Sequence, residues 1–147
     1  MAGDVVLREV TLALPMVPEI EIEAGRTATA VAESMQMSPD RIGEVQMAVV
    51  EACINAIEHS RASEREVYVT FEVLGGDQGQ DPEKLRITVR DNGVGFSPDD
   101  MAEPRIEDKL KARRKRGWGL KIIRGLMDEV EIHSGAEGTV VVMSKLR

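Results

Sequence analysis

A carboxylate and a carboxamide stand four residues apart at Glu51 and Asn55, within a stretch that is otherwise largely apolar. On a helix, one turn brings such a pair onto the same face. A carboxylate placed there could take a proton from an attacking hydroxyl, and an amide oxygen could ligate a hard cation such as Mg²⁺. At roughly 100° per residue, Glu44, Glu51, Asn55 and Glu58 fall within a sector of about 60°, with His59 near its edge. Two readings are open. The stripe is a solvated outer face, or Glu51 and Asn55 look into a polar cavity where Mg²⁺ and water satisfy them. Periodicity does not choose between them.

Two glycine segments carry further chemistry. The first, Asp91-Asn92-Gly93-Val94-Gly95, follows a β-rich run. Its glycines let backbone approach a ligand closely, and a carboxylate at a strand end can accept a hydrogen bond from an exocyclic amine. The second, Gly117-Trp118-Gly119-Leu120, opens a helix directly after a basic run, where free backbone N–H groups and the positive end of the helix dipole favour phosphate. Neither segment matches a Walker A loop or a dinucleotide-binding fingerprint.

The elements that must position these residues are legible in outline. Residues 5–14 read as a strand ending at Pro15, and 19–35 as a helix in spite of Gly25 and two threonines. Ser38-Pro39-Asp40 is a helix start: a capping hydroxyl, proline at the first helical position, then an acid near the positive end of the dipole. That helix is expected to run to about residue 60, with Ile42, Val45, Val49, Ala52 and Ala56 as its core face. Strands are expected at 67–74 and 85–90, a short helix at 120–127, and two last strands at 130–133 and 139–143. Twelve of the 21 residues from 96 to 116 are charged, without an apolar period, so this segment reads as a loop or lid. Strands in one layer and helices in another make an α+β two-layer sandwich, a single domain over residues 1–147.

Composition bounds the function. The chain has 147 residues, 42% hydrophobic and 31% charged, which suits one globular domain. No apolar run approaches the ~18 residues of a spanning helix, so no membrane role and a cytoplasmic address are expected. The net charge of −7 argues against nucleic acid as partner. Six of the eight residues 109–116 are nonetheless basic, a focus that suits a local anion site. Cys53 is the only cysteine and reads as a small buried apolar residue; the two histidines and one cysteine cannot assemble a structural zinc site.

Together these motifs resemble the GHKL (histidine-kinase-like) ATPases. Glu51-x-x-x-Asn55-Ala56-x-x-His59 is similar to their N box, Asp91-x-Gly93-x-Gly95 to their G1 box, Gly117-x-Gly119-Leu120 to their G2 box, and Gly138-Thr139 to their closing Gly-Thr. Within that group, the length, the wording Glu-Ala-Cys-Ile-Asn-Ala and the tail at 126–132 resemble the anti-sigma-factor serine kinases. The resemblance implies the Bergerat-type fold, a mixed, mostly antiparallel sheet covered on one face by helices. It implies ATP and Mg²⁺ as cofactors, with Asp91 on the adenine amine, Thr139 supporting it, and Asn55 holding the metal. Gly93 and Gly95 would shape the adenine and ribose side, while Gly117, Trp118, Gly119 and Leu120 would lie at the phosphates. Glu51 would be the general base, and Lys115 or Arg116 would neutralise the γ-phosphate. The implied activity is phosphorylation of an anti-sigma-factor antagonist on serine together with sequestration of a sigma factor, by a homodimer. The alternatives are a nucleotide-binding module that holds a partner without transferring phosphate, and a nucleotide-dependent regulator of some other partner. Trp118 is bulkier than the residue usual between those two glycines.

Overall fold

A computed structural model describes residues 5–59, 66–76, 81–91, 118–135 and 138–147. Strand β1 (Val5–Pro15) leads into helix α1 (Ile20–Ser34) and helix α2 (Pro39–His59). Strands β2 (Glu66–Gly75) and β3 (Pro82–Asp91) follow, then helix α3 (Trp118–Leu126) and strands β4 (Glu129–Gly135) and β5 (Gly138–Leu146). The segment 96–116, expected to form a lid, lies outside the described residues.

The two long helices meet at a turn whose chemistry is explicit. The backbone N–H of Met37 reaches the carbonyl of Ala32, and that of Gln36 the carbonyl of Glu33. This is the paired closure in which the residue after the cap turns left-handed. Here that residue is Gln36, at φ 63, where glycine is usual. Two residues on, the Ser38 hydroxyl accepts the Arg41 N–H at 3.3 Å and starts α2 as the Ser-Pro-Asp spacing predicts. The buried stripe of α1 (Ala24, Gly25, Ala28, Val31 and Ala32) is mostly small. A Cβ on Gly25 would lie 3.0 Å from Val50 Cγ2, so the glycine lets α1 and α2 approach closely.

Among the described residues the sheet has the order β1-β2-β3-β5-β4, and all four pairings are antiparallel. Alternate residues of its inner face, among them Val67, Val69, Phe71, Leu85, Ile87, Val89, Val141 and Met143, are buried beneath the helices. All of these but Val141 meet Val45, Ala48, Val49 and Ala52 from α2 and Leu120 and Ile123 from α3 in one core. The two-layer sandwich is thus as the spacing predicts. The strands run longer than their β-rich cores: β3 begins at Pro82, and β5 continues to Leu146. That extension carries Ser144 and Lys145, both buried, into the sheet.

Replacing Gln36 by glycine removes the left-handed penalty of roughly 1–2 kcal/mol that a side chain meets there, against a smaller gain in unfolded-chain entropy. Denaturant unfolding of Gln36→Gly should show a higher midpoint at unchanged slope; a lower midpoint would contradict the left-handed turn.

Candidate functional site

Asp91 is the last residue of β3 and only 4% exposed. Its partner in β5 is Thr139, itself buried, and Thr139 in turn faces Ser134 of β4. The Thr139 and Ser134 hydroxyls are 3.2 Å apart. A carboxylate and two hydroxyls therefore cross three neighbouring strands in one row at the end of the sheet. Antiparallel register, not sequence proximity, brings them together.

Above this row stands the C-terminal half of α2. Ala52 and Ala56 are small enough to leave room between helix and sheet, and Asn55, 8% exposed, points into it. Leu120 of α3 closes the side, while Val89 and Val141 make the floor. These residues, with Asp91 and Thr139, line a narrow pocket between helix and sheet. Among the described residues its walls are apolar apart from Asn55, Asp91 and Thr139, the pattern of a small-molecule site in which a few polar groups set orientation.

Asn55 also meets α3. A Cβ built on Gly119 would sit 2.8 Å from both Nδ2 and Oδ1 of Asn55, so only glycine lets this helix start so close to the amide. The amide nitrogen of Asn55 is buried and has no hydrogen-bond partner among the described residues. A buried polar atom left in this state costs about 1–3 kcal/mol, and its position at a pocket wall makes a bound ligand the natural partner.

The structure thus gathers Asn55, Asp91, Leu120 and Thr139 around one pocket, with Gly119 against Asn55. Glu51 lies one turn earlier on α2, half-buried, and is not among the residues that line the pocket. Trp118 is the first residue of α3. Gly93, Gly95, Lys115, Arg116 and Gly117 lie outside the described residues. The polar stripe of α2 divides: Asn55 is buried, Glu51 and Glu44 are half-buried, and Glu58 is exposed. Cys53, fully buried on the same helix, has its thiol pushed up to about 12, first by burial and then by the Glu21 carboxylate. It stays protonated and is no nucleophile. Ala52, Ala56, Val89 and Val141 were not foreseen as lining residues. Their only signal is the pairing of small residues on a helix with a β-branched strand face, which also describes ordinary core.

Gly119→Ala tests the helix contact. A methyl group at 2.8 Å must displace the Asn55 side chain or the start of α3, although alanine favours helix by about 0.8–1.0 kcal/mol over glycine. The Asn55 side-chain NH₂ resonances should shift clearly while the unfolding temperature changes by only a few degrees. Signals that overlay those of the parent chain would contradict the contact.

A family model described as histidine kinase-like ATPase domain matches residues 15–145. Anti-sigma F factor of Oceanobacillus iheyensis is 33% identical over 139 residues, which cover 93% of this chain and 91% of that protein. Serine-protein kinase RsbW of Listeria monocytogenes serotype 4a is 30% identical over 142 residues, covering 93% and 86%. Among solved structures, the RsbU and RsbW domains of Rv1364c from Mycobacterium tuberculosis align with a TM-score of 0.67 at 20% identity, over 95% of this chain and 32% of that one. The mycobacterial sensor histidine kinase MprB aligns at 0.53 and 12% identity, over 95% and 97%. These solved structures share the fold; the family rests on the sequence matches. Covered by that model from residue 15 to residue 145 and by both relatives over nearly its whole length, the chain belongs to the histidine kinase-like (GHKL) ATPase family, among the anti-sigma-factor serine kinases.

Proposed function

We propose that this chain is an ATP-dependent protein serine kinase and anti-sigma factor, phosphorylating a serine of an antagonist protein and sequestering a sigma factor to regulate transcription. One observation carries the reading. The pocket has a carboxylate–hydroxyl pair, Asp91 and Thr139, on its sheet side and, on its helix side, the amide of Asn55, pressed against Gly119 and with its nitrogen unpartnered among the described residues. Those are the two ends that an adenine nucleotide requires: an acceptor for the base amine, and polar groups beside a helix start for the phosphates. The names of the two relatives, an anti-sigma factor and a serine-protein kinase, support the partner classes and serine as acceptor.

Asp91 accepts a hydrogen bond from the adenine amine, and Thr139 holds the base edge beside it. A Mg²⁺ ion would be held by the amide oxygen of Asn55 and when bound would neutralise charge on the phosphates, while the buried amide nitrogen would donate to a phosphate oxygen. The serine hydroxyl attacks the γ-phosphorus as its proton passes to the Glu51 carboxylate. The new Oγ–P bond forms as the bond to the β-phosphate oxygen breaks, and ADP leaves with the electron pair. Glu51 stands one turn from Asn55, so base and metal ligand share a rigid helix. In this reading Lys115 or Arg116, of the lid segment 96–116, neutralises the γ-phosphate, and Gly93, Gly95 and Gly117 shape the backbone around the nucleotide. Homodimerisation and a cytoplasmic address belong to the same reading. The exposed Val5, Val6 and Leu7 on edge strand β1 support the former.

Transfer of labelled phosphate to candidate antagonist proteins, run beside nucleotide titrations, tests the assignment. Glu51→Gln should bind ATP as the parent does while transfer falls by about 10²–10⁴-fold. Asn55→Ala should lose both, and Asp91→Asn should lose most nucleotide affinity. Undiminished transfer by Glu51→Gln would remove the base, and ATP binding without transfer by the parent chain would leave a nucleotide-dependent binding module.

A further inference from the structure

Lys145 is an unusual residue for the inner face of a sheet. Thr139, Val141, Met143 and Lys145 alternate along β5, and all four are buried. The lysine side chain is only 7% exposed, yet its charge is matched. Nζ donates to the carbonyl of Leu126, the last residue of α3, at 2.5 Å, and lies 3.1 Å from Glu44 Oε1 on α2. One ammonium therefore joins β5, the C-terminus of α3 and the first half of α2. A cation at a helix C-terminus also meets the negative end of the dipole.

Two neighbouring contacts hold the same end. The Asp128 N–H donates to the Ser144 carbonyl at 2.9 Å, and the Asp128 carboxylate accepts the Leu146 N–H at 2.6 Å. Thus the chain leaving α3 is fixed to β5 from both sides. Along α2 the contacts set a direction. The end of α3 is tied to Glu44, while its beginning lies against Asn55, so α3 runs antiparallel to α2. Leu120, Ile123 and Met127 fix its roll by burial in the core. Apolar side chains tolerate a slide along the helix axis better than a buried ammonium does. A shift that broke the Lys145 contacts would leave a charge in the interior without its partners, which is strongly unfavourable.

From this we infer that Lys145, with Glu44, is a positioning residue: it locks the axial register of α3 so that Gly119 meets Asn55 at the far end of the helix. The lock does not touch the pocket. It acts through nine residues of helix on the phosphate end of the site, and so distinguishes nucleotides by their phosphates and not by their base. The inference rests on the nucleotide reading of the pocket given above.

The test is a set of calorimetric titrations with ATP–Mg²⁺, AMP and adenosine on the parent chain, Lys145→Met, Lys145→Arg and Glu44→Gln, with thermal unfolding of each. Because a hydrogen bond to a charged group, lost at the phosphates, weakens binding by about tenfold or more, Lys145→Met should lose about that much in ATP affinity. Its adenosine and AMP affinities should stay within about twofold. Glu44→Gln, at a half-exposed position, should change in the same direction by less, and Lys145→Arg should recover part of the loss. Should Lys145→Met fold poorly, the Glu44→Gln ratio of ATP to adenosine affinity decides alone. Equal losses for all three ligands would mean a structural role only, and an unchanged ratio in Glu44→Gln and Lys145→Met would equally overturn the inference. Absence of ATP binding by the parent chain would instead overturn the nucleotide reading.

Discussion

The contact between Gly119 and Asn55 sets the geometry of everything around the pocket. Two helices can cross at this distance only where one of them lacks a side chain, and the 2.8 Å that a Cβ would leave shows how little room there is. Because α3 begins there, its first turn lies beside the carboxamide of α2. The amide nitrogen of Asn55 gains no partner from this approach. The fold thus holds a polar atom in a buried position, at a cost in stability, and offers it to whatever occupies the pocket. Natural proteins commonly accept such local costs where a ligand is to be bound.

The sheet supplies the opposite wall by a different principle. In antiparallel pairing, residues far apart in sequence become lateral neighbours, and alternate residues share a face. Asp91 and Thr139 meet because β3 and β5 are adjacent, and both point inward because their strands end in phase. The rest of that face is apolar and packed under α2. A row of polar groups at the sheet's end therefore opens onto the pocket without interrupting the core. The same alternation places Lys145 inward at the other end of β5, where Leu126 and Glu44 satisfy it. One strand thus carries a site group at its start and a structural ion at its finish.

Much of this was legible in the chain. The start of α2 follows from Ser38-Pro39-Asp40, because a hydroxyl acceptor, a residue without N–H and an early acid each answer a need of the first turn. Asn55, Asp91 and Thr139 were identified by motif and converge on one pocket. The resemblance located residues that periodicity could not, since a stripe of Glu44, Glu51, Asn55 and Glu58 looks the same whether it faces water or a cavity. The stripe in fact serves several ends: Glu44 answers Lys145, and Asn55 faces the pocket. The end of α1 was less readable, because a glutamine occupies the left-handed position that glycine usually marks. Lys145 could have been flagged as an inward charge by continuing the alternation of β5, but a lysine near a chain's end ordinarily reads as solvated. The partner that makes it tolerable, a backbone carbonyl of α3, has no sequence signature.

The claim that this pocket receives an adenine nucleotide is most directly tested by methyl resonances of the chain during titration with ADP and Mg²⁺. The methyl groups of Ala52, Ala56, Val89, Leu120 and Val141, which line the pocket, should shift together and saturably, while those of Val10 and Leu12 on the far edge strand stay in place. Saturable binding that leaves those five methyls unmoved and perturbs another face of the domain would contradict it.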